Sequence, residues 1–508
     1  MNLLSSASIF SFYTLISRLL GYVRDILIAI FLGASIYADA FFVAFRLPNT
    51  FRRLFAEGTF NAAFIPSYTD AKIKSKKNSK RFADDVLGLL IIVLLFLVLI
   101  AEIFTPYLVY LIAPGFFENS EKFNLAVEFT RITFPFLLFV SLSSFFAGIL
   151  NSNNKFAAAA AAPIILNIIL IFSLLISYFF NLNFAKNLSY GVTLAGVVQL
   201  IFLIYFTISY YKPSISFKLK FTTKVKFFIN KLLPSIFSSG VTQINILIGT
   251  VIASFEASAV SYLYYADRIY QINLAIAGIA IGTVSLPVLV QALKAKNIFK
   301  ISKIQNKSIE LSLLLSIPAS IGLIVASEQI INSLFGYGSF SKEDIKMTAK
   351  ALKYFGYGVP AFSLIKVLSN FLFARDNTKT PFHISLFIVF LNVVISLSFF
   401  KQIGFVIIPL ATSISSWVGV LIYLVLLNKY KFLMIKTYLL KNLIKIIFST
   451  ILMFIVLLYG LDFFSNDLEY ANKLKSFYLL FIVSFVATIY IISCYLLGVL
   501  KINNYKTD

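Results

Sequence analysis

The run SRLLGYVRDILIAIFLGASIYADAFFVAFRLPNTFRRLFAEG, residues 17–58, decides how this chain is read. Most of it is apolar enough for the interior of a bilayer, yet it holds Arg18, Arg24, Asp25, Asp39, Arg46, Arg52, Arg53 and Glu57. A single arginine at the centre of a membrane helix costs roughly 2.5–3.5 kcal/mol even on the lenient insertion scale. Several of them against lipid would cost about 10 kcal/mol together, so they are expected to face a wet cavity or one another. Pro48-Asn49 should kink the second helix and release backbone groups, which is tolerated only where protein or water satisfies them.

The remainder of the chain agrees with a membrane setting. Of its 508 residues 59% are hydrophobic, 17% aromatic and 13% charged, with a mean hydropathy of +0.90. A water-soluble globule averages roughly 25% charged. Because a helix needs about 20 apolar residues to cross the hydrocarbon, cutting at charge and Pro/Gly/Asn clusters leaves about fourteen spans. The first two are expected at 5–33 and 37–65, the fourth at 125–149, the eighth at 258–291 and the ninth at 308–334. The N-terminus reads as the start of the first span, with no signal-peptide pattern before it. A faint repeat sets Gly58-Thr59 before Pro66 beside Gly282-Thr283 before Pro287. The fold class is therefore an all-α polytopic membrane protein of two six-helix lobes and two further helices. The lobes are expected at 1–212 and 213–430, with the added helices and a tail at 431–508.

The net charge of +23 could suggest nucleic acid, but its location argues otherwise. Lysine and arginine gather in every second connection: residues 72–81, 212–231, 294–303 and 429–441. Those connections are the cytoplasmic ones by the positive-inside rule, which puts both termini in the cytoplasm. The excess serves topology and anionic headgroups, so membrane lipids are partners and nucleic acid is not. Connections on the other side are too short for a folded catalytic domain. One cysteine and one histidine exclude a disulfide framework and a His/Cys zinc site. No GxxxxGK[ST] run is present, and no cofactor is expected.

At 100° per residue, Arg18 and Asp25 share one face, as do Asp39, Arg46, Arg53 and Glu57; Arg24 and Arg52 project about 100–120° away. Asp25, Asp39 and Glu57 are thus expected to pair with some arginines and leave others available. Asp267 and Arg268 place a further charged pair in the eighth span. An arginine cluster lining a wet cavity can hold a phosphate bidentately.

These same residues carry a resemblance. Ser17-Arg18-Leu19-Leu20-Gly21-Tyr22-Val23-Arg24-Asp25, Ala38-Asp39-Ala40-Phe41-Phe42-Val43-Ala44-Phe45-Arg46-Leu47-Pro48-Asn49 and Phe51-Arg52-Arg53-Leu54-Phe55-Ala56-Glu57-Gly58 resemble the opening helices of the MurJ (MviN) lipid II flippases. Tyr265-Ala266-Asp267-Arg268-Ile269-Tyr270-Gln271, with Ala280-Ile281-Gly282-Thr283, resembles a second signature of that family. The resemblance implies the MOP-superfamily fold, a V of two lobes around a cationic cavity, with the added helices forming a groove for a polyprenyl tail. It maps the substrate-binding arginines onto Arg18, Arg24, Arg52 and Arg268. Asp39 is implied as important beside them, with Asp25, Arg46, Arg53, Glu57, Asp267 and Gln271 as supporting ion-pair or cavity residues. Sodium coupling implied by the family rests partly on carboxylates in the second lobe. Here Asn392, Ser396 and Thr412 stand at the corresponding helices without an acid, so coupling to Na+ or to the membrane potential stays open.

The implied activity is transport: lipid II moves from the inner to the outer leaflet by alternating access, in a monomer that serves the cell-wall synthesis machinery. Three alternatives are weighed. A multidrug or organic-cation antiporter would call for carboxylates where this chain has arginines. Another polyprenyl-linked glycan could use the same arginines. A membrane glycosyltransferase would want an acidic pair in an exported connection, and the first such connection offers only Asp39.

Overall fold

A computed structural model describes residues 3–56, 59–214 and 222–500, and every regular element among them is helical. The chain forms two compact units, Met1–Ser261 and Tyr262–Asp508. The first contains α1 (Leu3–Leu32), α2 (Ile36–Ala56), α3 (Thr59–Lys74), α4 (Lys76–Ile103), α5 (Thr105–Ile112), α6 (Ser120–Thr133), α7 (Phe136–Ser152), α8 (Phe156–Phe180), α9 (Phe184–Thr207) and α10 (Thr223–Ala253). α11 (Ala259–Leu274) begins in the first unit and leads into the second. There follow α12 (Ile281–Lys294), α13 (Ile298–Val325), α14 (Ser327–Phe335), α15 (Lys342–Phe373), α16 (Lys379–Ile403), α17 (Ile407–Lys429), α18 (Thr437–Phe463) and α19 (Lys475–Leu496).

Among the described residues, 10 helices or joined helices are long and apolar enough to cross a membrane. α2, carrying Asp39, Arg46, Arg52 and Arg53, is not one of them. Helix ends depart from the expected spans for local reasons. The lysines at 72–81 lie on helix rather than loop, because Ser75 accepts from the Asn78 amide and starts α4 inside the cluster. The expected fourth span is broken at Phe134-Pro135 into α6 and α7. α11 and α12 run on through a π-helical turn at Ala275–Ala280, where Gly278 lets the backbone meet α15: an added Cβ would lie 3.1 Å from Ser363 Cα.

Prolines inside these helices create a specific need, since each lacks the N–H that serves the carbonyl four residues back. Three of the released carbonyls are taken up by a hydroxyl on a neighbouring helix. Pro48 of α2 releases Ala44, which accepts from Thr133 Oγ1 of α6 at 3.1 Å. Pro360 of α15 releases Gly356, which accepts from Ser320 Oγ of α13 at 2.7 Å. Pro318 of α13 releases Leu314, which accepts from Tyr490 of α19, also at 2.7 Å.

An aromatic core in the first unit gathers Phe60, Phe64, Phe82, Phe145 and Phe228 where α3, α4, α7 and α10 meet. In the second unit α18 and α19 pack on α13 through Leu314, Met453, Leu457, Ile482 and Val486. Polar ties reinforce that packing. Glu310, 1% exposed, accepts from Lys307 Nζ at 2.6 Å and from Asn442 Nδ2 at 3.0 Å. The connection into α18 is held by Asn306, which donates to the Met434 carbonyl and accepts from the Lys436 amide. At the other end of the pair, buried Lys475 donates to the Gly336 and Tyr470 carbonyls at 2.6 and 2.8 Å, with its ammonium 4.2 Å from the Tyr337 ring centre.

Candidate functional site

The charged side chains of α1 divide sharply. Arg18 is exposed and has no hydrogen bond or ion pair among the described residues. Two turns on, Arg24 and Asp25 are 6% and 2% exposed. Arg24 Nε and Nη2 donate to Asp25 Oδ1 at 3.0 and 2.7 Å, and Nη1 donates to Asn167 Oδ1 of α8 at 2.9 Å. Asn167 in turn donates to the Ser17 carbonyl at 2.8 Å, tying α8 back to α1. Arg24, expected among the gripping arginines, is in this arrangement an internal tie between α1 and α8. A carboxylate that accepts a forked guanidinium beside an amide is well compensated for burial.

Asp39, in the first turn of α2, is fully buried but does not pair with an arginine of its own stripe. It accepts Lys122 Nζ of α6 at 2.5 Å, the Ser261 amide at 2.9 Å and the Ser261 hydroxyl at 2.5 Å. The Ser261 amide belongs to the first turn of α11, where no intrahelical acceptor exists and negative charge is favoured. Lys122 also lies 4.1 Å over the Phe116 ring. The turn from α10 to α11 is clasped further by Ser258 Oγ on the Ala34 carbonyl and by the Gly115 amide on Ser254 Oγ at 3.0 Å. Gly115 is there because nothing larger fits: an added Cβ would lie 2.4 Å from Ser254 O and 2.5 Å from Phe255 Cα. Gly115→Ala is expected to cost about 1–3 kcal/mol of stability, since both sides of the contact are backbone. A thermal melt of the purified chain would show it, and an unchanged transition would refute the close contact.

Further along α2, Arg46, Arg52 and Arg53 are each partly exposed. Arg52 Nε donates to Asn49 Oδ1 at 3.0 Å, so the residue after Pro48 orients it. Glu57 lies outside the described residues. In the second unit Arg268 is partly exposed, donates to the Tyr264 hydroxyl at 2.8 Å and stacks 4.6 Å over that ring. Gln271 donates to Asp267, one turn apart on the same helix.

None of the three sodium candidates is itself a carboxylate. Asn392 and Ser396 are buried together, with Ser396 Oγ donating to Asn392 Oδ1 at 3.3 Å. Thr412 spends its proton on the Ile408 carbonyl of its own helix. No group of three His, Cys, Asp or Glu residues that could hold a metal occurs among the described residues.

Sequence reasoning missed Lys122, Asn167 and Ser261, whose partners lie far away in the chain. It also missed Glu310, which carried a signal: one carboxylate at the head of the apolar run at 311–326.

The geometry has counterparts among known proteins. The family model described as lipid II flippase MurJ matches residues 28–479. A probable lipid II flippase MurJ of Rickettsia prowazekii (strain Madrid E) is 39% identical over 421 residues, covering 82% of each chain. One from Rhizobium meliloti (strain 1021) is 41% identical over 415 residues, covering 80% of this chain and 77% of its own. A solved structure of lipid II flippase MurJ in an inward closed conformation matches with a TM-score of 0.81 at 27% identity, over 95% of this chain and 97% of that one.

Proposed function

The chain belongs to the lipid II flippase MurJ family, and from that premise we propose that Arg18 and Arg52 of the first unit and Arg268 of the second hold the anionic head of lipid II during its passage. It is a multi-pass membrane transporter and not an enzyme.

The observation that carries the assignment is a contrast in exposure. Arg24 is buried against an acid and an amide, whereas Arg18 is exposed and Arg52 and Arg268 are partly exposed. Crossing about 30 Å of hydrocarbon is prohibitive for an isolated charge. A guanidinium offers a pyrophosphate two parallel donors and a permanent positive charge, so the chain substitutes for water while the polyprenyl tail stays in lipid. Arg24, tied to α8 through Asn167, supports the register of α1 beneath Arg18.

The substrate's negative charge makes outward movement favourable in an inside-negative membrane, by about 2.3 kcal/mol per charge per 100 mV. The proposal routes no step through Na+, since Asn392, Ser396 and Thr412 lack an acid. It places the chain in the bacterial cytoplasmic membrane with both termini inside, acting as a single chain whose exported lipid II the cell-wall machinery consumes. An organic-cation antiporter is disfavoured by the same three arginines.

The test is rescue. Cells depleted of their own lipid II flippase should survive on this chain, with labelled lipid II reaching the outer leaflet at a restored rate. Survival without accessible lipid II, or no rescue at normal membrane abundance, would refute the reading.

A further inference from the structure

We infer that Thr133 is a positioning residue for transport: its hydroxyl occupies the carbonyl that Pro48 leaves without a donor and so holds the bend of α2 that aims Asn49 and Arg52. The inference rests on the proposed role of Arg52.

The chemistry starts from Pro48, three residues into the Arg46–Asn49 segment's charged face. Its ring has no N–H for the Ala44 carbonyl and crowds that oxygen, a combination that kinks helices. An oxygen left bare in a dry bundle would cost about 1–3 kcal/mol. Thr133, itself 0% exposed at the last position of α6, supplies the donor at 3.1 Å. The competing acceptor, the Thr130 carbonyl of its own helix, is farther at 3.3 Å. Around the contact Phe45 packs on Phe136 with ring centres 6.2 Å apart, so no solvent route is needed to explain the pairing. Immediately beyond the bend, Asn49 accepts from Arg52 Nε at 3.0 Å, and any change in the bend moves that pair as a body.

The device is not an isolated accident of packing. Ser320 on the Gly356 carbonyl below Pro360, and Tyr490 on the Leu314 carbonyl below Pro318, repeat it in the second unit with different hydroxyl side chains. Of the three, only the Thr133 contact serves a helix that carries, about one turn beyond its proline, a charged side chain assigned to the substrate.

The prediction separates a donor from mere volume. Thr133→Val keeps the shape and removes the proton, and is expected to lower lipid II export per molecule about two- to tenfold, the range for one hydrogen bond converted to a rate. Thr133→Ser should export at the wild-type rate. In a Pro48→Ala chain the backbone N–H returns, so adding Thr133→Val there should change the rate by less than about twofold. If Pro48→Ala alone exports nothing, the same comparison is made on the affinity of purified chains for lipid II. Wild-type export by Thr133→Val, or an equal loss in both backgrounds, would overturn the positioning role alone. A wild-type chain that exports no lipid II would overturn the transport reading and this inference with it.

Discussion

Arg52→Ala is expected to cut lipid II export by about a hundredfold or more while the protein reaches the membrane in normal amount. Removing one member of a desolvated, hydrogen-bonded charge pair costs about 2–5 kcal/mol, and Arg52 would make such a pair with the pyrophosphate only while substrate is bound. It is held by Asn49, which accepts from its Nε at 3.0 Å, and abundance of the inserted protein reads any structural part of the loss. Arg52→Lys should recover part of the rate, because the charge remains and the fork is lost. Arg24→Ala is the contrasting control: it leaves Asp25, 2% exposed, without its guanidinium, and the loss should appear first as low abundance. Outer-leaflet lipid II measured per molecule of inserted protein distinguishes the two. Full export by Arg52→Ala would remove it from the substrate's path.

Asp39→Ala should be the most destabilising single change in the first unit. It strands the Lys122 ammonium, 6% exposed, and removes the acceptor for the first turn of α11. Breaking a buried pair on one side costs about 3–5 kcal/mol, whereas replacing both partners with apolar groups is often neutral. Asp39→Ala is therefore expected to lose most of its membrane-inserted protein, and Asp39→Ala with Lys122→Met to recover much of it. Abundance and thermal melting measure both. A double variant no better than the single one would mean that the ion pair is not what holds Asp39 in place.

The residues proposed to meet the substrate stand out in the sequence, because a charged side chain in an apolar run announces itself. Arg18, Arg52 and Arg268 are of this kind. Their pairing was not legible. The wheel separates Arg24 from Asp25 by about 100°, yet a long guanidinium folds back onto its neighbour. Lys122, 83 residues from Asp39, gives no local sign of its partner. Thr133 is subtler still. A helical proline says that the carbonyl four residues earlier needs a donor, but not which helix supplies it. The α-helical class and the extra pair after residue 430 followed from apolar run lengths. The break at Phe134-Pro135 and the π-helical turn at Ala275–Ala280 depend on packing that run lengths do not record.

The attachment of α18 and α19 limits how the polypeptide can be divided. Tyr490 serves a main-chain oxygen in the middle of α13, and Asn442 completes the shell of Glu310. A version stopped near residue 430 would present an acid and an orphan peptide group to acyl chains. Split-protein or minimal-scaffold engineering should accordingly keep the last two helices in the same piece as α13.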